Sequence, residues 1–594
     1  MADRSDPKKS GKVLSGPEKQ QARKERFTAS RAPKEDAPSS KRPVGRSTDR
    51  SADRSGDRFE ERSGGRSGSS ASDRPHGRSR DQKPGYQKPS YQKTDSDKNR
   101  TVKPDRSVRQ TPVLETRASA LKVEDERPKS GARPGRDFQR VDLPLGRLLF
   151  HVHQILENAS ATNSPIDREL ASHFANIKGR LTDRDHSRIR DMVWGVIRRY
   201  RRLLWWLEIK GQTKQLRKLL LADLALTYNK SVADITALCR GGGGYLARLT
   251  DSEARVLSSM EGKNLAEETM PEGAMNECPP WAESGLRAVF GERFGEEAAA
   301  LNGSAPLDLR VNPFKGNRED LLPRLEKAGC KAEAIDWLPH GIRVLNDPKK
   351  AHLPFYERGE IEIQDAGSQV LSVLVAVEPG QRVIDFCAGA GGKTLALAAD
   401  MDNRGQLVAA DVHSKRLARA AQRLKRAGVF NAERKILESE RDPWVKKNKG
   451  KFDRVLVDAP CSGTGAWRRS PDSKWRRDEE DLAELVALQE SILTSAARLV
   501  KPGGRLVYAT CSLLPDENEE QVEKFLRSRP DFKLLPVAEI WKERMPREMP
   551  EHIGDMLRLS PARDETDGFF AAVLVREDAA PIAVPAQEED KSVN

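Results

Sequence analysis

From Arg382 to Arg576 short apolar runs rich in β-branched residues alternate with helical stretches, and this alternation restricts the fold more than any other feature of the chain. RVIDFCAGAGGKTLALAADM reads as strand, glycine turn and helix; GQLVAADV as a strand and HSKRLARAAQRLKRAG as a helix. FDRVLVDAP is a further strand, DLAELVALQESILTSAARLVKPGG a helix closed by Gly503-Gly504, RLVYATCS a strand, and GFFAAVLV a late one. Strands that alternate with helices pair mainly in parallel and are covered on both faces. The expected fold is therefore α/β, with ligands outside the carboxyl ends of the strands.

The rest of the 594 residues divides by composition. Residues 1–138 are poor in apolar side chains, repeat the tripeptide DRS and carry a tandem YQKPSYQKT, a composition unable to bury enough surface to order itself. Up to residue 140 there are 36 Lys and Arg against 21 Asp and Glu, leaving 68 against 69 beyond it, so the whole-chain charge of +14 belongs to this segment. A basic tail of this kind is either a solvated linker or an arm that attracts RNA phosphates. Residues 139–270 show helical periodicity. Ile189, Met192, Val193, Val196 and Ile197 form one stripe, Thr182 and Asp185 mark a helix start, and Arg190, Arg198, Arg199, Arg201 and Arg202 are expected to be solvated, with RNA contact as the alternative. RGGGG at 240–244 reads as a flexible joint, 280–375 as a small mixed α/β region, 376–577 as the catalytic domain and 578–594 as a loose tail.

Several classes are excluded. No apolar run reaches eighteen residues, which points to a soluble, cytoplasmic protein without a membrane partner. Six scattered cysteines without a C-x-x-C pair argue for reduced thiols, and His151 and His153 on an apolar segment are expected to be structural, so no metal site is readable.

The turn CAGAGGKT, Cys387 to Thr394, lies where a strand meets a helix. A P-loop requires glycine at 387, where cysteine stands, and a dinucleotide fingerprint requires glycine at 394, where threonine stands. S-adenosylmethionine remains, its methionine end over the Gly389–Gly392 backbone and Asp411, at the end of the next strand, on its ribose. LVDAPCSGTGAW places Asp458 and Cys461 just past one strand, and LVYATCS places Cys511 at the end of another. A single strand-end cysteine is usually a small buried apolar residue. Two of them beside such a turn suggest covalent chemistry on a pyrimidine: a thiolate adding to carbon 6 of cytosine makes carbon 5 nucleophilic toward a sulfonium methyl, while a carboxylic acid such as Asp458 assists at ring nitrogen 3.

DAPCSGTG with ATCS downstream, the CAGAGGKT turn, RVNPFK and the closing DGFF closely resemble the RNA cytosine-5 methyltransferases of the RsmB/Nop2/NSUN group, over roughly residues 305–576. The resemblance implies a Rossmann-like class I methyltransferase domain that methylates RNA, ribosomal RNA or a ribosomal subunit precursor, as a monomer. It implies Cys511 as nucleophile, Cys461 as the thiol that aids product release, and Asp458 at the base and the cofactor side. Cys387, Ala388, Gly389, Ala390, Gly391, Gly392 and Lys393 would surround S-adenosylmethionine, with Asp411 on its ribose. The family usually carries an acid beside the adenine after its third strand; here the nearest is Glu438 in KILESERDPW. Helices around 180–207 are similar in order to the NusB-like RNA-binding domain of the bacterial enzymes, although CRGGGGYLARL departs from that pattern. DNA cytosine-5 methyltransferases, which attack with a Pro-Cys thiol placed like Cys461, are the competing enzyme class and give no reason for Cys511. A ribosome-assembly factor with dispensable chemistry is the non-enzymatic alternative. Between the cysteines, WRRSPDSKWRR (Trp467–Arg477) is expected to touch RNA through stacked bases and held phosphates; the alternative is a loop anchored by its own tryptophans.

Overall fold

The computed structural model describes residues 142–177, 179–346 and 354–577; the expected tails at 1–138 and 578–594 lie outside them. The order of elements is a helical region, a small antiparallel sheet and a large, mainly parallel sheet.

The large sheet contains β5 (Arg382–Asp385), β6 (Gln406–Asp411), β7 (Ala432–Ile436), β8 (Phe452–Asp458), β9 (Val500–Thr510), β10 (Phe532–Leu535), β11 (Leu557–Leu559) and β12 (Phe569–Arg576), in the order β10-β12-β9-β8-β5-β6-β7, with β11 also on β12. The five strands from β9 to β7 run parallel, and β12 is antiparallel to its neighbours. Alternation along each strand divides two apolar layers. Val383, Leu407, Leu456 and Val507 face one set of helices, while Ile384, Val408, Val455 and Leu506 face the other. This is the Rossmann-like sheet expected of the alternating pattern. Gly503-Gly504 does not close the preceding helix: that helix ends at Ala497 and β9 already includes both glycines. Gly503 has φ +69°, and a Cβ on Gly504 would lie 2.8 Å from the Lys501 carbonyl, so the pair serves a bend within the strand.

A four-stranded antiparallel sheet precedes it: β1 (Leu307–Val311), β2 (Ala332–Ala334), β3 (Gly341–Val344) and β4 (Ile361–Ile363), in the order β2-β3-β1-β4. Of these, β2 and β3 were too short to show a period in the sequence.

The helical region includes α1 (Leu145–Thr162), α2 (Asp183–Arg198), α3 (Tyr200–Glu208) and α4 (Leu216–Leu226), packed on one apolar core. Thr182 and Asp185 form a reciprocal capping box at the start of α2, and Ile189, Met192, Val193, Val196 and Ile197 are its buried stripe. The arginines depart from expectation, since only Arg190 of the five is exposed. Arg199 forms a two-pronged pair with buried Asp223 at 2.7 and 2.9 Å, at the break between α2 and α3, and Arg202 pairs with buried Glu277 at 2.8 Å. Glu277 also accepts from the Arg201 backbone N–H at 2.8 Å, so it caps the second helix. Arg198 donates to the Asn302, Gly303 and Arg468 carbonyls, each at 2.9 Å. RGGGG is an ordered turn rather than a joint: Gly241 to Gly244 all have positive φ, and Gly241 donates to the Leu246 carbonyl at 2.8 Å.

Trp467–Arg477 is a strap that docks the helical region on the catalytic sheet, a loop anchored by its own tryptophans as the alternative reading had it. Trp467 is 1% exposed, and Trp475 stacks on Tyr200 at 4.7 Å while its indole N–H donates to the Ile197 carbonyl at 3.1 Å. Arg468 pairs with Asp567 at 2.6 Å and Arg469 with Asp365 at 2.8 Å. Asp472 accepts from the Ile166 N–H at 3.2 Å and from Arg476 at 3.0 Å. Buried Lys474 donates to the Glu277 carbonyl and Asn302, and burial lowers its pKa to about 8. Replacing Trp475 by alanine removes a half-buried aromatic contact, so a loss of about 2 kcal/mol is expected in denaturant unfolding, with RNA affinity at fixed salt unchanged. Unaltered stability together with weakened RNA binding would return the strap to the RNA interface.

Candidate active site

The parallel ladder between β8 and β9 runs from Arg454↔Arg505 to Asp458↔Ala509, so both strands leave the sheet at the same edge. Ala459 N–H then donates to the Ala509 carbonyl at 2.8 Å, and two residues further on each strand carries its cysteine into one place. Cys461 Sγ and Cys511 Sγ are 3.3 Å apart. Two glycines make this crossing possible. Gly568 N–H donates to the Gly465 carbonyl at 2.8 Å, and a Cβ on Gly465 would fall 2.1 Å from the Gly568 carbonyl oxygen, so the SGTG and DGFF segments cross with no room for a side chain.

Both sulfurs open on a cleft of about 660 Å³. Its wall also contains Asp385, Cys387, Ala388, Gly389, Ala390, Gly392, Lys393, Asp411 and Asp458. Of the seven turn residues expected around the cofactor, Cys387 to Lys393, only Gly391 is not on the wall. It sits at φ +82° as N-cap of the following helix, α5 (Gly392–Asp400), where a Cβ would meet Ala420 at 3.0 Å. Asp411 accepts from the Gly389 N–H at 2.8 Å and the His413 N–H at 2.6 Å, which aims its carboxylate across the turn. Thr394, which spoils a dinucleotide fingerprint, donates to buried Asp385 at 2.7 Å.

Charge in the cleft is arranged asymmetrically. Lys393 Nζ lies 2.8 Å from Asp458; burial alone would lower its pKa, but Asp458, with Asp385 and Cys511 behind it, outweighs burial and raises it. Cys387 is held protonated by burial and then by Asp458, Asp385 and Asp411, so it is a poor nucleophile. The Cys461 thiol is likewise pushed well up, first by its hydrogen bond with Cys511 and then by burial.

Several contributors were not visible in the sequence. Arg310 of β1 donates to the Gly392 carbonyl at 3.0 Å. Arg423 donates to the Ala390 carbonyl at 2.9 Å while paired with buried Glu362 of β4 at 2.8 Å, so the small sheet grips the turn from outside. Nothing but distance in the chain hides them. Glu438 is exposed and absent from the cleft wall; Leu437 and Glu440 occupy that part, with Glu440 accepting from Ser491 at 2.9 Å. His151 and His173 hydrogen-bond to each other at 3.0 Å, and no cluster of metal-ligating side chains occurs among the described residues.

The cleft suits S-adenosylmethionine. Its volume lies in the range of small-molecule sites, and a Cβ at Gly389 (φ +55°) would point into open space, which leaves the turn backbone exposed to a ligand. The first amides of α5 offer donors and the Asp411 carboxylate an acceptor on that side of the cleft, the chemistry such a ligand needs.

Comparison with known proteins agrees. Residues 372–575 match the family described as 16S rRNA methyltransferase RsmB/F, and residues 278–350 match the ferredoxin-like domain of the same proteins. A ribosomal RNA small subunit methyltransferase B from Photorhabdus laumondii is 30% identical over 434 residues, 70% of this chain and 97% of that one. A probable ribosomal RNA small subunit methyltransferase B from Synechocystis is 32% identical over 436 residues, 70% of this chain and 95% of that one. Among solved structures, PH0851 superposes with a TM-score of 0.58 at 24% identity, covering 74% of this chain and all of that one, which shows a shared fold.

The carboxyl of Asp385 gives a test of the site's electrostatics. Burial raises its pKa from 3.8 to about 7, against the opposing Thr394 hydrogen bond and with help from Asp458. The folded protein therefore keeps this proton where the unfolded chain has lost it, so the group costs stability progressively as pH rises from about 4 to about 7. Asp385→Asn should gain on the wild type by about 2–4 kcal/mol between pH 4 and pH 8, read as diverging thermal midpoints. Parallel midpoint curves would show that the carboxyl is ionised throughout.

Proposed function

We propose that this chain, which belongs to the RsmB/F family of 16S rRNA methyltransferases and uses S-adenosylmethionine, methylates carbon 5 of a cytosine in ribosomal RNA through a covalent adduct on Cys511. The observation that carries the reading is the pair of sulfurs 3.3 Å apart on the wall of the cofactor cleft. A DNA-type enzyme needs one thiol; two at this distance suit a reaction in which one sulfur attacks and the other finishes.

In this reading the base is turned out of its stack into the cleft. The Cys511 thiolate adds to carbon 6, and electron density moves to carbon 5. Bound S-adenosylmethionine supplies a methyl group on a sulfonium, an electrophile suited to that carbon. Lys393 and Asp458, joined at 2.8 Å, offer an ammonium and a carboxylate to the pyrimidine's ring nitrogen 3 and its neighbouring polar groups. The carbon 5 proton passes to solvent water, the bond between carbon 6 and Cys511 breaks with its electron pair returning to sulfur, and the aromatic ring is restored, Cys461 aiding release of the product. The cofactor residues are Cys387, Ala388, Gly389, Ala390, Gly392 and Lys393 along the turn, with Asp411 on the ribose and Gly391 acting through the shape of the turn. The helical domain over 139–270 serves as a NusB-like RNA-docking module on a monomeric, cytoplasmic enzyme. It is fixed to the catalytic domain by the strap.

Cys511→Ala should lower methyl transfer by at least about a thousandfold. Cys461→Ala should instead accumulate a protein–RNA species that survives denaturing electrophoresis, and bisulfite mapping of ribosomal RNA from a deletion strain should lose one or more methylated cytosines. If Cys461→Ala abolishes the adduct and Cys511→Ala retains it, the two sulfurs exchange roles.

A further inference from the structure

One carboxylate beneath the sulfur pair has no part in the chemistry above. Glu517 ends the short helical turn Pro515–Glu517 and is 0% exposed. Its Oε1 accepts from the backbone N–H of Ser462 at 2.7 Å and from Gln489 Nε2 at 2.9 Å. Its Oε2 accepts from the hydroxyls of both Ser462 and Ser512. Ser462 follows Cys461 and Ser512 follows Cys511, so a single side chain bridges the two cysteine loops. Thr464 extends the bridge, accepting from the Leu513 N–H at 2.7 Å.

These donors are all neutral, so the carboxylate's charge is held in a low-dielectric interior and acts strongly on what lies beside it. Its tie to the Ser462 peptide brings that charge to the Cys461 side. After the Cys511 hydrogen bond and burial, the charges of Cys511 and Glu517 are the next causes that keep the Cys461 thiol protonated. A cation also lines the cleft: the Lys393 ammonium, paired with Asp458, is strengthened in part by Cys511. Two further groups face the pair, the Tyr508 hydroxyl, which donates to the Glu517 carbonyl at 2.7 Å, and Arg477, whose guanidinium reaches the Cys461 carbonyl at 3.4 Å. Two thiolates at 3.3 Å would repel each other, so only one sulfur ionises readily.

We propose that Glu517 is a positioning residue: it fixes the two cysteine loops in register, directs the proton of the sulfur pair to Cys461, and so leaves Cys511 as the attacking sulfur. This rests on the covalent reading of the site. It adds a reason for the division of labour between two chemically identical side chains.

The test uses the full chain without RNA or methyl donor. Iodoacetamide at pH 8 is displaced at carbon by a thiolate, with iodide leaving, and mass spectrometry of the two peptides gives the rate at each cysteine. In the wild type Cys511 should react at least about tenfold faster than Cys461, one pKa unit being a factor of ten in thiolate. Glu517→Gln should bring the two rates within about threefold of each other, since the charge difference is removed, while Glu517→Asp should keep the wild-type order. An unchanged ratio in a Glu517→Gln protein with a native melting curve overturns the proposal. If that variant does not fold, the wild type decides: equal rates, or faster reaction at Cys461, overturn it. Because the assay involves no methyl transfer, its failure leaves the proposed reaction standing, and reversed phenotypes of the cysteine variants would remove that reaction without touching the alkylation result.

Discussion

The parallel pairing of β8 with β9 is the interaction on which the site depends. Its register sends both strands out of the sheet at one edge, and the chain then has three residues after Asp458 and two after Ala509 in which to bring a sulfur to the same point. A slip of one residue would turn every side chain of a strand to the other face and destroy both apolar layers at once. The 3.3 Å contact between the sulfurs is therefore secured by the burial of residues such as Val455, Leu456, Leu506 and Val507, none of which touches the cleft.

Much of this was legible because it follows from period and punctuation. Alternating apolar runs and helices identified the parallel strands, and glycines at 389, 391 and 392 marked the turn where a ligand approaches. The cysteines stood out because each follows a strand. Interactions between segments far apart in the chain were not legible. Arg310 and Arg423 grip the turn from elements that belong to the small sheet and to a neighbouring helix, and no local pattern connects them to it. Glu517 was visible only as one of several acids after Cys511; which of them turns inward depends on where the loop carrying Ser462 passes. Glu438 was a reasonable guess from spacing, but a turn of the chain gives the cleft Glu440 instead.

The arginines teach the same lesson from the other side. Counted in sequence, those of 198–202 and of the strap suggested solvent or nucleic acid. In the structure Arg199, Arg202, Arg468 and Arg469 are instead tied to carboxylates, Asp223, Glu277, Asp567 and Asp365, and Arg198 reaches from the helical region to the carbonyls of Asn302, Gly303 and Arg468. Buried pairs of this kind add little net stability, yet removing one partner leaves an uncompensated charge, and this fixes how the segments they join pack. The segment that begins at the Cys461 thiol ends on the helical core through Trp475, so the helical region and the sulfur pair are joined by one continuous piece of chain.

The most direct test of the account is to identify which sulfur becomes bonded to the pyrimidine. Ribosomal RNA containing 5-fluorocytidine has no proton to lose at carbon 5, so reaction with the wild-type enzyme and S-adenosylmethionine should stop at the adduct, and tandem mass spectrometry of the digested complex locates the nucleotide. The account predicts attachment at Cys511 with Cys461 unmodified. Attachment at Cys461, or no adduct from an enzyme that methylates unmodified RNA, would contradict it.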